Sequence, residues 1–348
     1  MSATGSWRAL AALAACAGWT GLFAAACGDA PPEPPADPVR AGCLKLARTW
    51  CESKALCLSA TFASEYGNDE EECVLRQALL CERTRFGPGS TLTAEGLHGC
   101  AERVEANLSA KDVNGRCETW LRWEVTRSAP GECLTKGLLP DGSLCFRGNQ
   151  CQTGDCVPSA APCGTCKQAA ALGEPCFEDA DCERGRACGA SGECVAYNSL
   201  GALCGADTPC LPDATCGSTF QCQSRAGEGE LCDAARDGCE LWPEQLACNP
   251  STTRCERYAF ASEDEECGEL TDGPVALCTR GLVCEVTTAT RRGVCVPATA
   301  DRYGCLQQPQ ALPKRYPFGG PCQAPATCSS LGRCGIADAA MCDWMQLP

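Results

Sequence analysis

Thirty-six cysteines and a single histidine in 348 residues set the chemistry open to this chain. Thiols at that density either hold metal or pair as disulfides, and spacing separates the two. Zinc sites recur as C-x2-C knuckles mixed with histidine. Here only Cys163 and Cys166 have that spacing, and His98 is the only imidazole. The cysteines therefore read as a disulfide scaffold, which persists only in an oxidising compartment. Cys163-Gly164-Thr165-Cys166 has the outline of a redox pair. A thioredoxin-type site, however, needs a strand-to-helix setting that lowers the first thiol's pKa. This motif lies among proline, glycine and other cysteines, so a structural role is expected. A solitary imidazole argues against Ser/His/Asp hydrolysis, and His98 is expected as a surface or partly buried helical residue. The acidic groups Asp69-Glu70-Glu71-Glu72, Asp179-Ala180-Asp181 and Glu263-Asp264-Glu265-Glu266 lack EF-hand spacing. The first is expected to open a helix, where acids favour the positive end of the dipole. No catalytic residue, metal or cofactor is predicted, and an enzyme is not expected.

Twenty-nine basic against 44 acidic residues give a net charge of −15. The acids are spread along the chain, which makes its surface repel nucleic acid and anionic headgroups.

The amino terminus has a different character. Arg8 is the only charge in residues 1–27, and an uncharged apolar run from Ala9 to Ala26 ends in small residues before Cys27. That is the layout of a secretory signal. Ala24-Ala25-Ala26-Cys27-Gly28 resembles the bacterial lipobox, whose cysteine is diacylated and becomes the new amino terminus. Leu13-Ala14-Ala15-Cys16 is closer in letters but leaves too short an apolar segment before it. Cys27 is thus the expected lipidation site. Plain secretion, or an uncleaved anchor at the lower edge of spanning length, are the rival readings. Residues 28–40 are rich in proline and acid and read as an extended, non-helical tether of roughly 30 Å.

Residues 41–136 carry helical patterns over 43–57, 71–83 and 95–108. Cys43 and Cys51 are eight apart, as are Cys73 and Cys81. Eight residues is about 12 Å along a helix and returns nearly to one face. Antiparallel packing would then allow Cys43–Cys81 and Cys51–Cys73. Cys57, Cys100, Cys117 and Cys133 bring this region to eight cysteines.

Beyond residue 137 a repeat takes over. Cys176, Cys182, Cys188 and Cys194 are separated by five residues each, and so are Cys204, Cys210, Cys216 and Cys222. Cys232, Cys239, Cys248 and Cys255 have gaps of six, eight and six; Cys267, Cys278, Cys284 and Cys295 have ten, five and ten. These four units occupy 173–300, after a lead-in over 137–172 and before a degenerate segment over 301–348 that opens at Cys322. Each unit is expected to be two short hairpins. Four cysteines allow three connectivities, of which first–third with second–fourth is favoured. Five cysteines in 145–166 and five in 305–342 leave an odd count at each end. Either a bridge joins the two ends, or the unit boundaries differ.

The order G-x-x-C-x5-C-x5-C-x5-C in 173–194 and 201–222 resembles the Dickkopf amino-terminal cysteine-rich repeat. It is also similar to a unit found in tandem in bacterial surface lipoproteins of unknown function. The likeness covers about 137–342 and rests on Cys and Gly, so it implies a small disulfide module and no activity. The expected fold is small and disulfide-rich: an N-terminal disulfide-stapled α-helical domain followed by tandem short β-hairpin cysteine-rich repeats. The expected role is structural or binding, toward a protein or cell-envelope ligand, with the membrane reached through the lipid anchor. The alternative is a protease inhibitor presenting clamped loops such as Arg291-Arg292.

Overall fold

The computed structural model describes residues 37–126, 130, 133–160, 163–233, 238–242, 245–286, 292–299, 322–328 and 334–338. The predicted signal segment, Cys27 and most of the tether lie outside the described residues. Among those described, no helix is long and apolar enough to cross a membrane.

Five helices come first: α1 (Pro38–Cys57), α2 (Ser59–Tyr66), α3 (Glu70–Arg85), α4 (Ala94–Ser109) and α5 (Val113–Thr126). The start of α1 corrects the tether boundary, because Pro38, Val39 and Arg40 are helical. Proline is tolerated at the first helical position, where its missing N–H has no intrahelical acceptor. Asp37 completes the start by accepting a hydrogen bond from Val39 N at 3.0 Å. Asp69 caps α3 through Glu72 N, followed by Glu70, Glu71 and Glu72 in the first turn. This matches the dipole preference for acids at that end. Cys43–Cys81 and Cys51–Cys73 cross between α1 and α3, which therefore run antiparallel. Ala47, Phe62, Tyr66, Val74, Ala78 and Leu97 fill the space around them.

The repeats follow a common wiring. In each, the third and fourth cysteines face each other across an antiparallel hairpin: Cys188 with Cys194, Cys216 with Cys222, Cys248 with Cys255, Cys284 with Cys295. The expected second hairpin shrinks to the single antiparallel bridge Gly205–Thr208 in the unit at 204–222, and none is seen among the described residues of the units at 176–194 and 232–255. In all three the backbone at the second cysteine pairs in parallel with the linker leading into the unit, as Ala170 with Cys182, Asn198 with Cys210 and Ala226 with Cys239. Backbone groups at the second cysteine thus find their partners in the linker, although gaps of the same length as the first do form the hairpin between third and fourth cysteines. Where the first gap lengthens to ten, Glu266–Gly268 does pair antiparallel with Ala276–Cys278, while Ala259–Ala261 keeps the parallel linker position.

This register also redraws both ends of the array. Leu139 bridges Cys151 in the linker position, and Cys145–Cys156 with Cys151–Cys166 follow the first–third, second–fourth order. The lead-in is therefore a complete unit carrying one extra cysteine, Cys163. At the other end Thr299 bridges Cys322, and Cys322–Cys334 spans 12 residues, like Cys182–Cys194. Cys322 thus takes the second-cysteine place rather than opening a copy.

The array does not run away from the helices but packs back on them. Asn149 Nδ2 donates to Arg85 O and Gln150 Nε2 to Pro88 O, both from the first unit. Ser64 donates to Cys278 O at 2.7 Å, and Arg280 pairs with Asp69 and Glu72. Arg76 and Arg83 donate to the carbonyls of Gln323 and Ile336 in the last unit. Asn149 and Arg147 help to hold the first unit on, and so does Gln150, which is 1% exposed. Its Oε1 accepts from Phe146 N and Arg147 N at 2.7 and 3.0 Å while Nε2 reaches Pro88 O at 2.8 Å. Gly137 passes so close above it that a Cβ would lie 2.0 Å from the Gln150 carbonyl carbon. Gln150→Ala orphans three backbone groups, so a loss of about 3 kcal/mol in denaturant unfolding is expected. A loss below about 1 kcal/mol would show that this contact does not fasten the unit.

Candidate functional site

The predicted bridging cysteines pair as follows. Within the units the bonds are Cys176–Cys188, Cys182–Cys194, Cys204–Cys216, Cys210–Cys222, Cys232–Cys248, Cys239–Cys255, Cys267–Cys284 and Cys278–Cys295. Among the helices Cys57–Cys117 and Cys100–Cys133 join the two α1–α3 staples. Cys163 is also disulfide-bonded, and Cys166 is joined to Cys151. The C-x-x-C motif is therefore split between two bridges rather than closed on itself, and it lacks the helix a redox pair needs. In five units three sulfurs lie within 4.8 Å of one another, because two bridges stack there. Sulfurs held in S–S bonds supply no thiolate for a metal.

The other singled-out residues serve the backbone. His98 is exposed on α4 beside Glu102, Nε2 to Oε1 3.1 Å. Asp181 Oδ2 accepts from Phe177 N and Glu178 N, Asp179 Oδ1 from Cys188 N, and Glu265 from Ser262 N. Arg292 lies in a strand, half buried, with Nε donating to Glu269 O. It is not a presented loop residue, and Arg291 lies outside the described residues.

A cavity that the sequence did not reveal lies inside the helical domain. It is a partly open cavity of about 490 Å3, lined by Leu46, Ala47 and Trp50 of α1, Leu80 and Arg85 of α3, Val104 and Leu108 of α4, and Trp120, Trp123 and Glu124 of α5. Arg147 of the first unit closes one side, beside the Cys100–Cys133 bridge. Trp50 and Trp120 meet edge to face with centroids 6.0 Å apart. Trp50 Nε1 donates to Glu124 Oε1 at 3.0 Å. Trp120 is 4% exposed, and its indole N–H has no acceptor among the described residues.

Two arginines dominate the electrostatics. Arg147 Nε donates to Thr84 Oγ1 at 2.8 Å, and neither guanidinium has a carboxylate within ion-pair distance among the described residues. Burial and then the neighbouring Arg147 pull the Arg85 guanidinium down to about 10. Burial likewise lowers Arg147, with Glu124 opposing. Glu124 sits at the rim, where desolvation raises its carboxyl above the usual carboxylate range and the Trp50 N–H partly offsets this. Both arginines and Cys133 also line an adjoining cavity of about 330 Å3 toward the first unit. The spacing of Trp120 and Trp123 on one face of α5 was the one local signal available. Comparison with family models, with curated proteins and with solved structures finds no match for this chain.

Proposed function

We propose that this chain is an extracytoplasmic binding protein, held at the cell envelope by a lipid on Cys27 and presenting its disulfide-clamped head beyond a short proline-rich spacer. The observation that carries the reading is the build of the units. The buried cluster of one is Cys176, Cys182 and Cys194, and that of the next is Cys204, Ala214 and Cys222. Modules whose interior is cystine keep their shape only in an oxidising setting, and they tolerate an outer face chosen for contact rather than for folding. Leu172, Phe177, Leu200, Leu203, Phe220 and Leu231 are all exposed on these units, which supports a protein or envelope partner over a passive spacer. Units that pack back onto the helices also favour a compact head over an extended stalk.

The test begins with the intact mass of the protein purified from its native membrane. A diacylated Cys27 at the amino terminus is expected, with reduction adding 34 hydrogens, two short of the 36 cysteines because Cys16 leaves with the signal and Cys27 carries the lipid. A mass starting at Met1 with free thiols overturns the reading. The binding role fails if the displayed head retains nothing from envelope fractions and its deletion leaves the envelope unchanged.

A further inference from the structure

We infer that the cavity between the helices and the first unit is a binding site for a small aromatic carboxylate. This goes beyond the tethered-head reading and stands without it. Trp50, Trp120 and Trp123 supply flat apolar surface, which suits a planar ring stacked offset or edge-on. Arg85 and Arg147 supply a planar donor set matched to a carboxylate. The volume of about 490 Å3 falls within the range of small-molecule sites.

Arg85 and Arg147 are each only partly buried and line the cavity, so their guanidiniums face that space rather than a protein carboxylate. This chain carries 15 more acidic than basic charges, yet none is brought within ion-pair distance of these two among the described residues. Counting Arg85, Arg147 and Glu124 leaves the site one positive charge. A monoanion neutralises that charge, whereas a phosphate dianion overshoots it. Glu124 is held off by the Trp50 indole, so a ligand carboxylate does not compete with an existing ion pair.

Calorimetric titration of the full-length, bridge-intact protein with 2-naphthoate and with its neutral isostere 2-naphthalenemethanol tests this, with tryptophan quenching as second readout. Naphthoate is expected to bind at least about tenfold more tightly, the size of one charge-assisted hydrogen bond. Arg85→Met is the informative variant, because the Arg85 guanidinium bonds no protein group among the described residues. The variant is expected to keep its far-UV circular dichroism and to bind both probes equally. Equal affinity in the native protein, no saturable binding of either probe, or a preference that survives in Arg85→Met would each overturn the assignment.

Discussion

Replacing Cys182 and Cys194 together by alanine is expected to unfold the 170–196 unit while leaving the helical domain intact. The bridge spans 12 residues, and closing a loop of that size removes unfolded-state entropy equivalent to about 3 kcal/mol. The unit has little to set against the loss. Its buried cluster is Cys176, Cys182 and Cys194, flanked by Ala170 and Cys188, and the largest nearby apolar side chain, Phe177, is fully exposed at 101%. Two of the three buried members are the residues replaced. Only Cys176–Cys188 is left to staple it, and a unit of fewer than about 40 residues holds too little core to make up the difference. Limited proteolysis should cut between 170 and 196, while ellipticity at 222 nm stays at the native value. The matched variant, Cys51→Ala with Cys73→Ala, should behave differently. It gives up a comparable entropy term over 22 residues, but Phe62, Tyr66, Val74 and Leu97 remain buried around the vacated space. That variant should melt at a lower temperature as a folded protein. Native protease resistance in the first variant would show that the unit has stability its interior does not reveal.

The same contrast explains which parts of the fold were legible in the sequence. Eight-residue cysteine spacings state a helical face directly, so the α1–α3 staple geometry followed from periodicity. The four-cysteine gaps likewise state where a loop tip can lengthen, which located the hairpin between third and fourth cysteines. Parallel pairing of Ala170, Asn198 and Ala226 to the second cysteines is made by backbone groups alone, and it leaves no residue signature. Helix α2 escaped for a related reason. Leu58 stands at the N-cap of α2 without a side-chain hydrogen bond, so the usual start signal is missing. Pro38 misled in the other direction, because a residue read as a helix breaker sits at the one place a helix accepts it. The cavity draws on four helices and on Arg147. No window of sequence holds its apolar walls and its charges together.

Gln245 is where the return of the repeats onto the helices has its largest expected effect. It is 5% exposed, sits on the 239–248 loop of its unit, and bonds to Thr61 twice. Thr61 N donates to Gln245 Oε1 at 2.9 Å, and Gln245 Nε2 donates to Thr61 Oγ1 at 2.6 Å. Thr61 lies in the first turn of α2, whose leading N–H groups have no intrahelical acceptor. With no cap from Leu58, α2 takes its cap from a residue 184 positions away. Gln245→Ala therefore leaves a buried helix donor and a buried hydroxyl unmatched, for an expected loss of about 3 kcal/mol. Asparagine is one methylene too short to restore both bonds and should recover little. Gln245 also holds φ at +47°, a conformation that costs a non-glycine residue about 1 kcal/mol. Gln245→Gly relieves that strain while losing the same bonds, so it should be less destabilising than Gln245→Ala by about that amount. Chemical denaturation of the three variants resolves the order: native, then Gly, then Ala, with hydrogen exchange accelerating first at 59–66. If Gly and Ala fall together, the backbone carries no strain there. If neither loses more than about 1 kcal/mol, the cap does not couple the units to α2.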